Sequence, residues 1–128
     1  LNLVGSLRPL ETLMAGDIVH EDIFGQDIKP DWDGSNLADA RPSHNNQGTL
    51  FYTWRWDGSG FPNNRLDYVL YTDSVLKVRH SFVLDTLSMA AGELKACGLE
   101  ALDSAKSKDV FAIVYDHLPV VVDFQVQP

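Results

Sequence analysis

Arg65-Leu66-Asp67-Tyr68-Val69-Leu70-Tyr71-Thr72 is the stretch on which the reading of this chain turns. Its aromatic and β-branched residues favour a strand, and its apolar side chains on both faces place that strand inside a sheet. Asp67 lies within it. A carboxylate is costly to bury alone, so Asp67 requires a specific partner. Tyr115-Asp116-His117-Leu118-Pro119 supplies the candidate, an Asp-His pair at the mouth of a second apolar strand. If the two strands pair, Asp67 reaches His117 and fixes the orientation of its ring. Asp116 beside it is a hard oxygen donor suited to Mg²⁺.

Outward from these two stretches the chain alternates strands and turns. Thr49-Leu50-Phe51-Tyr52-Thr53-Trp54 reads as a strand, and Asp57-Gly58-Ser59-Gly60 with Pro62-Asn63-Asn64 as the turn region after it. Residues 75–84 alternate well enough for a further strand, and Pro119-Val120-Val121-Val122-Asp123-Phe124-Gln125-Val126 is the last. Pro9 and Gly16 bracket a short helix, and Asp85 or Thr86 caps a second that runs through Ala96 and stops at Gly98. Residues 17–48, rich in Asp, Gly, Asn and Pro, read as a long irregular connection of the kind that shapes a binding surface. The expected class is α/β or α+β with a mixed sheet. Two helices cannot cover four or more strands on both faces, so a second subunit or an absent N-terminal half is expected to bury the remainder.

Composition narrows the function. The chain has 128 residues and 45% hydrophobic content, enough for a compact domain with a true core. No apolar run approaches the ~18–20 residues that span a bilayer, and no stretch resembles a targeting signal, so the compartment stays open. The formal charge of −8 disfavours a non-specific DNA binder but not phosphoester chemistry, because a divalent cation brings its own positive charge. The single cysteine, Cys97, allows no internal disulfide and reads as a small buried hydrophobe. Asp31-Trp32-Asp33-Gly34-Ser35-Asn36 looks like the start of a calcium loop, but position 42 is proline where a glutamate is needed, so it reads as a solvated turn. His20, His44 and His80 have no ligand partners nearby in sequence, and His44 reads as part of a surface loop. Trp54 reads as core packing, and Arg65 as one half of a structural ion pair.

Taken in order, Tyr52-Thr53-Trp54, Arg65-Leu66-Asp67-Tyr68-Val69-Leu70 and Asp116-His117-Leu118-Pro119-Val120 resemble the later motifs of the endonuclease/exonuclease/phosphatase family. Leu1-Asn2 looks like the end of that family's Gly-Asp-x-Asn element. The resemblance spans the chain, loosely at residues 17–48 and 98–113, and implies the C-terminal half of a four-layer α/β sandwich, residues 1–128 being a partial domain truncated upstream. It implies a metal-dependent hydrolase of phosphodiesters or phosphomonoesters, using Mg²⁺ (or Mn²⁺) on nucleic acid or a small phosphoester. By the same likeness His117, Asp67 and Asn2 are catalytic, Asp116 binds the metal, and Asn2 and His117 contact substrate. The remaining ligands belong to the missing N-terminal half, without which the chain is expected to be inactive and prone to self-association. Tyr115 departs from the family's serine and puts the hydrogen bonding around Asp116 in question; it also supports the alternative of a non-catalytic binding module on the same scaffold.

Overall fold

A computed structural model describes residues 6–57, 60–102 and 115–128. Along the chain these form α1 (Arg8–Ala15), α2 (Glu21–Phe24), β1 (Ala38–Asp39), β2 (Ser43–His44), β3 (Leu70–Tyr71), β4 (Leu76–Val83), α3 (Ala91–Cys97) and β5 (Val120–Val126). The protein is a small α+β protein with mixed sheets and few helices. β1 pairs antiparallel with β3, Ala38 opposite Tyr71. The other sheet has the order β2-β4-β5, with β2 parallel to β4 and Ser43 opposite Phe82. No helix among the described residues is long and apolar enough to cross a membrane.

The chain divides into two compact units, one of Leu1–Arg41, Tyr68–His80 and Val122–Pro128, the other of Pro42–Asp67 and Ser81–Val121. In the first, α1 begins as expected, with Pro9 in its opening turn and Leu10 buried beneath it. It ends at Gly16, whose φ of 69° is left-handed and whose N–H donates to the Thr12 carbonyl. A Cβ at Gly16 would stand 1.7 Å from the Ile28 carbonyl oxygen, so the glycine is required by space as well as by conformation. The rings of Tyr71 and Phe124 pack at 5.1 Å. α2 was not legible in the sequence: it is one turn long, and neither Ile23 nor Phe24 is buried.

Residues 32–36 form the exposed turn that was expected, and Asp31 alone departs from it. It is only 5% exposed, not solvated, because the Trp32 N–H and the Thr72 and Ser74 hydroxyls all donate to its Oδ1. Thr72 above all, opposed by burial and aided by the Trp32 N–H, Ser74 and Asp73, holds this carboxyl below the usual range.

In the second unit Val83, Leu102 and Leu118 form the core, with Tyr52 and Val120 packed against them. His44, expected on a surface loop, is 2% exposed; its Nε2–H donates to the Tyr52 carbonyl at 2.8 Å and its ring meets the Tyr52 ring edge-on. Residues 85–90 do not belong to α3 as expected. Asp85 uses its side chain to accept from the Leu87 N–H and from Asn46, and buried Thr86 accepts the Leu102 N–H, so both are committed to tertiary bonds. The helix starts after Ala90, whose N–H donates to Glu93. Cys97 is exposed rather than buried: only Leu94 of this two-turn helix faces inward, and Gly98 turns the chain at once.

Candidate active site

The site is built in the second unit around one strip of backbone, Thr53-Trp54-Arg55. On one side the Thr53 and Trp54 N–H groups donate to the Asn64 carbonyl, and the Asn64 N–H returns a bond to Trp54. On the other, Arg55 N–H donates to the Asp116 carbonyl at 3.1 Å and Leu118 N–H to the Thr53 carbonyl at 2.7 Å. The strip thus holds two remote segments flanking it, bridging Trp54 to both Asn64 and His117.

Two of the expected strands are reduced by this arrangement. Residues 49–54 form no continuous ladder, because Leu50 N–H closes a turn onto Gln47 and only Trp54 bridges to neighbours. In the stretch 65–72, only Leu70–Tyr71 is a strand. The reason is Thr53. Its Oγ1 accepts the N–H groups of both Leu66 and Asp67 at 3.0 Å, so those donors go to a side chain instead of a ladder. Thr53 itself is fully buried, and a buried hydroxyl with two donors satisfied is a rigid clamp.

The clamp sets the chemistry. Leu66 and Leu118 are buried and anchor the backbone immediately before Asp67 and immediately after His117. Between them, His117 Nδ1–H donates to Asp67 Oδ2 at 2.7 Å, the contact expected had the two strands paired. The two side chains are 48% and 40% exposed, so solvent screens the contact and its worth to stability is small, about 0–1 kcal/mol. Its consequence is orientation: Nδ1 is occupied, and Nε2 is left to act. Asp116 is held independently, its Oδ2 accepting the Trp54 indole N–H at 2.8 Å while its Oδ1 accepts nothing from the described residues. This answers the question raised by Tyr115, which is itself exposed: a tryptophan, not a residue before Asp116, orients the carboxylate.

Arg55 closes onto Asp57 through two bonds of 2.8 and 3.0 Å, which raise its guanidinium further above its usual range. Asn2 lies outside the described residues. Among those described, no group of three or more His, Cys, Asp or Glu side chains could hold a metal ion. Asp116, a hard oxygen donor with one oxygen tethered and the other open, fits a role as one ligand of a divalent cation.

Sequence reasoning quoted Thr53 and Trp54 but gave neither a part in the site. The signal available was a threonine between two aromatics in an apolar stretch, where a hydroxyl must find a bond. No family model, no curated protein and no solved structure matches the chain.

Proposed function

We propose that this chain carries the histidine half of a metal-dependent phosphoester hydrolase, on the C-terminal half of a four-layer α/β sandwich of the endonuclease/exonuclease/phosphatase type. The observation that supports it is the 2.7 Å contact between His117 and Asp67, formed by residues from two remote motifs in the family's order. In this reading Asp116 would be one ligand of Mg²⁺ (or Mn²⁺), with further ligands from an N-terminal half. The cation, when bound, neutralises the phosphoryl oxygens. His117 offers Nε2 to the scissile phosphate, donating a hydrogen bond to the charge that develops there and moving a proton to or from it. Asp67 positions that ring, and Asn2 assists in placing the phosphate. The substrate is a phosphodiester or phosphomonoester, and the charge of −8 weighs towards small phosphoesters over non-specifically bound duplex DNA.

The test is Mg²⁺-dependent hydrolysis of a chromogenic phosphodiester and its monoester by the parent protein carrying both halves. His117→Ala should lower kcat by about 10³-fold, and Asp67→Asn nearly as much. Near-normal turnover by His117→Ala would end this reading. A silent parent protein with its N-terminal ligands intact would favour the non-catalytic module. The 128-residue chain alone should show no turnover.

A further inference from the structure

The other unit carries a surface that no part of the proposed hydrolysis uses. Residues 17–28 leave α1 at Gly16 and return to it, a compact loop whose two ends meet. Ile28 N–H donates to the Gly16 carbonyl at 3.3 Å, and Ile18 N–H to Asp27 Oδ1 at 2.7 Å. The Thr12 hydroxyl donates to the Asp17 carbonyl at 2.8 Å, which ties the outgoing arm to α1. Within the loop, Ile23 and Phe24 N–H groups donate to the His20 carbonyl, and Gly25 N–H to that of Glu21. Hydrogen bonds therefore hold the loop in one shape, and no side chain of α2 is buried.

Thr12, Ile18, Val19, His20 and Phe24 line a groove of about 380 Å³ between this loop and α1. Val19 is 59% exposed, Ile23 68% and Phe24 71%. Apolar side chains are costly in water, and a loop that fixes its backbone without burying them keeps them open to a partner. The charge around them has one sign. Residues 17–28 include Asp17, Glu21, Asp22 and Asp27 but neither lysine nor arginine. Arg8 of α1 already pairs with Glu11 and Asp17, and Lys29, just past the loop, donates to Asn36. Glu21 and Asp22 stand exposed in the same helical turn as Phe24. An apolar groove beside such acids selects apolar groups that bring cations with them.

We propose that this groove docks a basic amphipathic helix of another protein, its apolar side chains against Val19 and Phe24 and its lysines or arginines facing Glu21 and Asp22. A helix docked in a groove presents apolar anchors at i, i+3, i+4 and i+7, and the cations of its polar face complement the acids of the loop. A second copy of the chain brings the same four acids to the contact, which makes self-contact the weaker of the two. An anionic membrane is repelled in the same way.

Fluorescence polarisation of labelled peptides, titrated with the 128-residue chain at neutral pH, tests the proposal. The probe has about 18 residues, long enough to be helical, with leucines at i, i+3, i+4 and i+7 and lysines elsewhere. Two controls replace its lysines by glutamates or its leucines by serines. The leucine–lysine peptide should bind saturably and about 10-fold more tightly than either control. Phe24→Ser, at an exposed position, should weaken it about 10- to 30-fold, and Val19→Ser repeats the readout on the same groove. Glu21→Gln with Asp22→Asn should weaken it about 3- to 10-fold and flatten its dependence on salt. Equal binding of either control, or binding that survives both serine variants, overturns the proposal. So does a dimer that Phe24→Ser dissolves and the peptide fails to displace, which assigns the groove to a second copy. Binding by the 128-residue chain that is absent from the parent protein overturns it too, and assigns the groove to the N-terminal half.

Discussion

At the residue scale, the Asp67–His117 pair and the Trp54–Asp116 bond divide the labour of the site. The first aims an imidazole, and the second aims a carboxylate. Neither needs to contribute much to folding, since both acids are partly exposed and solvent weakens such pairs. Under the proposed function their worth is read in kinetics. Trp54→Phe keeps the ring and removes only the N–H that holds Asp116. If the proposed hydrolytic function holds, the expected outcome is a rise of about 10-fold in the Mg²⁺ concentration for half-maximal activity, at little cost in kcat with saturating metal. An unchanged metal requirement would remove Asp116 from the ligand set. The Asp67–His117 pair was legible in the sequence because an acid in an apolar stretch calls for a partner and an Asp-His dipeptide stood before a strand, although Asp67 is partly exposed and not buried. The Trp54 bond was not, because an indole in an apolar stretch reads as packing until its N–H is accounted for.

At the scale of elements, Thr53 does what a β-ladder was expected to do. Its hydroxyl takes two backbone N–H groups that a neighbouring strand would otherwise have accepted. Thr53→Val preserves the shape and strands both donors in the interior. The loss should be about 2–4 kcal/mol of stability, measured by chemical denaturation, with serine recovering most of it. A valine variant as stable as the wild type would mean that water replaces the hydroxyl. The same competition accounts for most of the departures from the sequence reading. Strand composition at residues 65–72 was real, but the donors of Leu66 and Asp67 were claimed by a side chain. Helix signals at Asp85 and Thr86 were real, but both side chains were claimed by tertiary partners. Pattern identifies what a segment prefers; which acceptor its N–H groups meet depends on residues far away in the chain. β4 and β5, whose apolar runs meet no such competitor, appear close to where the alternation placed them.

At the scale of the whole molecule, an α+β class with mixed sheets was legible from the count of strands against helices, and the irregular stretch 17–48 was legible from its composition. Its short pieces, α2, β1 and β2, were not, because two to four residues give no period to read. Val19, Ile23, Phe24, Ile28 and Trp32 stand exposed in that stretch. Apolar surface of this kind drives association, so the 128-residue chain should show a scattering mass that rises with concentration. A constant monomer mass would refute that expectation. The strip Thr53-Trp54-Arg55 has a last consequence, for biosynthesis. Asp67 leaves the ribosome 50 positions ahead of His117, and the edge of the strip stays vacant until the segment at Asp116 to Leu118 has been made. A nonsense mutation between Asn64 and Asp116 would therefore remove more than a histidine: it would release a polypeptide with an open hydrogen-bonding edge, a natural substrate for chaperones and proteases.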